Sequence, residues 1–144
     1  MKQIPVIFWT GTGNTQMMAD AVAEAINAAG AEAVVKNVSE ITADEAAGYD
    51  ALALGCPAMG AEVLEECEFE PFFTELEGKL AGKKVALFGS YGWGGGAWMK
   101  LWADRTRKAG AKLFNDGLAI ENSPQKDDLS ACSQLGAAFA KSLL

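Results

Sequence analysis

Short apolar runs alternate with helix-spaced patterns along the whole chain. Ile4 to Trp9, Ala33 to Val38, Ala51 to Cys56, Val85 to Ser90 and Leu113 to Ile120 are mostly apolar stretches of strand length, the pattern of strands buried on both faces. Between the first two, Met18, Ala21, Val22, Ala25, Ile26 and Ala29 recur at helical spacing with Asp20, Glu24 and Asn27 opposite, and Gly30 supplies the stop. Thr42 and Glu45 have the spacing of a capping box and predict a short second helix; a third follows Pro71, with Phe72, Phe73 and Leu76 on one face. A fourth turns Trp98, Leu101 and Trp102 inward and stops near Gly110. A fifth opens with Ser123-Pro124 and the acidic Asp127 and Asp128, then buries Leu129, Cys132, Leu135 and Phe139.

This alternation predicts parallel strands joined by right-handed crossovers, an α/β doubly wound sheet with helices on both faces. The 144 residues suffice for one core and contain no linker, repeat or low-complexity tract, so a single domain over 1–144 is expected. The apolar run after Lys2 meets Pro5 and turns polar at Thr10, too short for a signal or membrane segment. Cys56, Cys67 and Cys132 form no CxxC pair and suggest neither a disulfide framework nor a zinc site, which fits a reducing cytoplasm. A net charge of −7 lacks the basic footprint that nucleic acid demands. The absence of histidine removes the Ser/His/Asp and Cys/His nucleophilic arrangements, so any chemistry must be borrowed from a cofactor.

In such a sheet, ligands sit beyond the carboxyl ends of the strands where strand order reverses, which singles out the loops after strands one, three and four. The first, Thr10-Gly11-Thr12-Gly13-Asn14-Thr15, runs straight into a helix. Free backbone N–H groups, the helix dipole and the Thr and Asn side chains make it a phosphate site. It lacks the Lys-Ser/Thr ending of a P-loop, and Gln16 stands where a dinucleotide fingerprint has its third glycine. A response-regulator receiver needs acids at the ends of strands one and three, where Phe8, Trp9, Thr10, Gly55 and Cys56 stand. A plain turn capped by Thr or Asn would carry the same local signature. The other two loops each offer one large apolar side chain, Met59 and Trp93, among residues that let a backbone approach the polar edge of a flat ring. Either alone is as readily a packing residue. Trp98, Trp102, Met17 and Met18 lie on helical faces and read as core, and Cys56 and Cys132 as small buried hydrophobes.

Taken together, these segments resemble the flavodoxin family over the whole chain, specifically its short-chain members, which lack a long insertion in the fifth strand. Thr10 to Thr15 is similar to the family's FMN-phosphate loop, and Met59-Gly60-Ala61-Glu62, preceded by Pro57 and Ala58, to its inner flavin loop. Gly89-Ser90-Tyr91-Gly92-Trp93-Gly94 is similar to the outer loop, and Asn122 joins the candidate cofactor contacts. The resemblance implies a five-stranded parallel sheet of order 2-1-3-4-5. It implies Met59 and Trp93 on opposite faces of the isoalloxazine, Glu62 at its pyrimidine edge, and a redox-linked flip of the peptide after Gly60. Many relatives carry Asp, Asn or Gly near this turn, where Ala61 stands in this chain; if the flipped state needs a left-handed conformation there, alanine costs roughly 1 kcal/mol or more.

The same resemblance implies a monomeric, cytoplasmic, low-potential one-electron carrier that uses the semiquinone/hydroquinone couple of non-covalent FMN and turns over no substrate of its own. Its redox partners, ferredoxin- or flavodoxin-dependent oxidoreductases, would dock at an acidic rim. Glu62, Glu65, Glu66, Glu68 and Glu70 crowd the segment after the inner loop. A unit charge about 10 Å from a reduced flavin repels it by roughly 1 to 2 kcal/mol at an effective dielectric near 20, before salt screening. Individually, Glu65, Glu66 and Glu68 read more simply as a solvated face. The alternatives are an FMN-dependent quinone or NAD(P)H reductase on the same fold, and a flavin-free anion-binding module.

Overall fold

A computed structural model describes residues 2–59, 63–92 and 95–144. Apolar runs become strands wherever helices cover them on both sides: β1 (Gln3–Phe8), β3 (Ala51–Gly55) and β4 (Lys84–Tyr91) are buried along nearly their whole length. With β2 (Glu32–Asn37), β5 (Lys112–Leu113) and β6 (Leu118–Glu121), all pairings are parallel and the order is β2-β1-β3-β4-β5, with β6 also on β4. The expected order 2-1-3-4-5 is therefore observed, and the reversal falls between β1 and β3. One face packs Ile7, Leu52 and Leu54 against α2 (Ala43–Ala47), α3 (Phe69–Glu77) and α4 (Ala97–Lys108). The other packs Ile4, Val6 and Phe8 against α1 (Asn14–Ala28) and α5 (Lys126–Leu143). The alternation Ile4, Val6, Phe8 against Ile7 is the period-two pleat of a strand.

Several expectations need correction. β2 is only half-buried and Val35 is 41% exposed, because this strand has β1 as its sole neighbour. In α4 the buried residues Trp98, Met99, Trp102, Ala103 and Thr106 span about 140° of arc at 3.6 residues per turn, and Leu101 falls outside it, 65% exposed rather than inward. Met17, read as core, is likewise 43% exposed, and Leu129 and Leu135 are half-buried. Helix α3 starts at Phe69, not after Pro71; proline sits in its first turn, where the missing N–H breaks no helical bond. Helix α5 begins after Gln125, whose backbone N–H donates to Asp128, rather than at Ser123.

The run expected as one fifth strand is two. Val85 pairs with Leu113 and Phe88 with Leu118, so the partner offset grows from 28 to 30 residues. Phe114 to Gly117 take up the two extra residues. There the Asn115 side chain replaces a strand backbone: its Oδ1 accepts from Leu87 N–H (3.1 Å) and its Nδ2 donates to Leu87 C=O (3.1 Å). Because the slip is even, Leu118 to Ile120 keep the facing they would have had without it. Gly117 closes the detour at φ +98°, and a Cβ there would lie 2.3 Å from Met99.

Candidate functional site

Three loops meet at the carboxyl ends of β1, β3 and β4 around a cleft of about 250 Å³. Trp9, Gly11, Thr12 and Asn14 form one wall; Pro57, Ala58 and Met59 a second; Ser90, Tyr91 and Gly92 a third, with Asn122 closing the corner. Thr10, Gly13, Thr15 and Gly89 do not line it. Gly60, Ala61, Glu62, Trp93 and Gly94 lie outside the described residues.

The first loop is shaped for an anion. Helix α1 opens at Gly13 (φ +96°) with no side-chain cap and no acidic residue in its first turn; α4, which opens at Gly96 (φ +84°), shares these features, whereas α2 and α5 each close their own N-terminus with a capping box. A phosphate would take the place of that missing cap. The Thr10 hydroxyl accepts from Gly13 N–H (3.0 Å), so this one amide is spent on shaping the loop rather than left free as the sequence suggested. Thr15 is buried, and its hydroxyl pairs with that of Ser90 at 3.2 Å, tying the helix to β4 beneath the cleft. Asn14 Oδ1 accepts from Ser123 Oγ (3.2 Å), which fixes the loop before α5.

The other walls are held by backbone. Ala58 N–H donates to Ser90 C=O (2.9 Å) and Asn122 N–H to Tyr91 C=O (2.7 Å). Asn122 has φ +60°, the single positive φ among described non-glycine residues. Gly89 permits the close approach of β3 and β4: a Cβ there would lie 2.2 Å from Cys56 C=O and 3.1 Å from the Trp98 ring. Trp98 is core, as expected, yet it also supports two walls, since its Nε1–H donates to Cys56 C=O (3.2 Å) and its ring packs on Tyr91 with centroids 5.5 Å apart.

Trp9 is the lining residue that sequence reasoning missed. Its indole N–H donates to Glu68 (3.2 Å) and its ring lies so close to Gly11 that a Cβ would sit 3.0 Å away. The available signal was its place as the last apolar residue of strand one, beside the phosphate loop.

The acidic segment divides in two. Glu65 is buried, contrary to the solvated reading, and accepts backbone N–H bonds from Cys67 (2.8 Å), Glu68 (2.7 Å) and Phe69 (2.9 Å). Burial pulls its pKa upward, but these donors together outweigh it and hold the carboxyl below the ordinary range. Glu70 is also held low, first by the Arg105 guanidinium, which binds it through two nitrogens (2.8 and 2.6 Å) and binds Glu77 as well (2.8 and 3.0 Å). Glu66 and Glu68 remain exposed. Burial raises the pKa of both the Cys56 and Cys132 thiols, Cys132 to about 11, as suits packing residues.

The sheet order and a cleft at its switch point define the class: a doubly wound α/β protein that binds a phosphate-bearing flat cofactor between glycine-rich loops. The family profile described as Flavodoxin matches residues 6–136. A flavodoxin of Megasphaera elsdenii is 47% identical over 96% of this chain and 98% of its own length, and one of Clostridium beijerinckii 44% over 94% and 97%. The solution structure of two-electron reduced Megasphaera elsdenii flavodoxin superposes with a TM-score of 0.86, covering 96% of this chain and 98% of that one. The chain belongs to the flavodoxin family and is an FMN-binding electron carrier. Among the described residues no helix is long and apolar enough to cross a membrane.

Proposed function

We propose that residues 1–144 act as a single unit, a low-potential one-electron carrier whose FMN sits in the cleft between the β1, β3 and β4 loops. The observation that carries this reading is the uncapped start of α1 facing a cleft whose other walls are the Met59 and Tyr91 loops. FMN supplies the electron chemistry; the chain binds, orients and shields it. Thr10, Gly11, Thr12, Asn14 and Thr15 hold the phosphate by backbone amides and by the Thr10 and Thr12 hydroxyls, with Gly13 shaping the loop. Pro57, Ala58, Met59, Gly60, Ala61 and Glu62 serve one face of the ring and its edge. Gly89, Ser90, Tyr91, Gly92, Trp93 and Gly94 serve the other, with Asn122 at the rim.

In this reading Trp93 covers the ring and leaves little room for a second substrate, so the chain turns over none of its own. It acts as a cytoplasmic monomer and delivers electrons to oxidoreductases that meet its acidic edge. Anaerobic stepwise reduction followed by visible absorbance tests this: two resolved one-electron steps are expected, and a single two-electron bleaching would favour a quinone or NAD(P)H reductase. Trp93→Ala checks the ring contact. Weaker FMN binding and altered potentials are expected, and unchanged values would remove Trp93 from the site.

A further inference from the structure

We infer that Glu65, which lies outside the cleft lining, is a positioning residue for the cofactor loop. Met59 and Val63 exchange two backbone hydrogen bonds (2.8 and 3.1 Å), which hold these two residues side by side. Two residues on, the chain is pinned twice. Glu65 N–H donates to the Cys56 sulfur (3.4 Å) at the end of β3, and the Glu65 carboxylate turns the other way to accept three amides at the start of α3. A single residue thus bolts the outgoing arm of the loop to the sheet on one side and to a helix on the other. Leu64, next to it in the chain, is buried in the core on the α3 side of the sheet.

Helix α3 has no side-chain cap of its own at Glu68, so the Glu65 carboxylate serves as its cap from three residues upstream. The helix is in turn clamped to α4 by Arg105 through Glu70 and Glu77. Any movement of Val63 must therefore be taken up against a fixed support rather than by a drifting arm. For the carrier, this holds Met59, on the cleft wall, in a fixed place.

The inference rests on residues 57–62 being a cofactor loop, and the test separates the two. Glu65→Gln retains shape but offers one acceptor oxygen and places a donor against amides that need an acceptor. In the FMN-saturated, full-length protein, amide exchange at Met59 and Val63 should accelerate about tenfold, and FMN should bind about tenfold more weakly, the size of one lost charge-assisted bond. The midpoint potentials should move with it, a response that a helix cap alone would not give. Unchanged exchange at Met59 and Val63, with faster exchange confined to Cys67–Phe69, overturns the positioning role. Faster exchange at Met59 and Val63 with unaltered FMN affinity and potentials instead overturns the reading of the loop. If Glu65→Gln does not fold, Cys56→Ala removes the sulfur that accepts from Glu65 N–H and also donates to Pro57 C=O (3.6 Å); it should produce the same pair of changes at about threefold, and no change in either, or faster exchange confined to Ala58, overturns the inference.

Discussion

Gly89 shows how much one missing methyl group can decide. Its Cβ would enter the Cys56 carbonyl at 2.2 Å and press on Trp98, the residue that braces both the Cys56 and Tyr91 walls. Gly89→Ala should therefore destabilise the fold by roughly 1 to 3 kcal/mol in chemical denaturation and weaken FMN binding in the same variant. A change in stability alone would show that the two walls adjust independently. At this scale the phosphate loop was legible because its glycines and hydroxyls directly precede a helix. Glu65 was misread because its burial depends on the chain doubling back to offer three amides, which no local pattern announces. Trp9 was passed over because an apolar residue ending a strand looks like core until its ring is seen to line the cleft.

Among the elements, the split fifth strand carries the most specific consequence. The Asn115 side chain takes both the N–H and the C=O of Leu87 on that side of β4. Asn115→Ala leaves both without it, so a loss of about 1 to 3 kcal/mol is expected, with faster amide exchange at Leu87. Asn115→Asp, which keeps only an acceptor, should recover part of it. Helices α3 and α4 are joined by one partly exposed guanidinium shared between Glu70 and Glu77. A double-mutant cycle on Arg105→Ala and Glu70→Ala should give a coupling of about 1 kcal/mol that shrinks as salt is added. Alternating periodicity made strand and helix order readable along the chain. The two-residue slip was invisible because an even detour leaves the apolar spacing of Leu113 to Ile120 looking like one strand.

For the molecule as a whole, charge sets both stability and encounter. The folded pKa values of Glu65 and Glu70 lie below their unfolded ones, so the folded state binds fewer protons and their stabilisation is complete above the ordinary carboxylate range. It is lost as pH falls from about 4.3 through the lower folded values. Thermal denaturation of the FMN-loaded protein should show a nearly level Tm above about pH 5 and a decline below it, with a shallower decline in Glu65→Gln. Glu65 and Glu70 are compensated internally, which leaves Glu66 and Glu68 as the exposed acids of that segment among the described residues. Each, when changed to Gln, should raise the one-electron potential by only about 20 mV, the equivalent of roughly 0.5 kcal/mol. The global class was readable from the order of elements; the redistribution of charge was not, since Arg105 and the α3 amides reach the acids only in three dimensions. The Asn115 detour also gives the architecture a seam. Pairing is complete at Val85–Leu113 below it and at Phe88–Leu118 above it, so either side can be held in place without the other. Extra chain spliced in between Phe114 and Gly117 would bulge outward from the sheet while Asn122 kept its place at the cleft, making this the point at which the fold can grow without redesigning its centre.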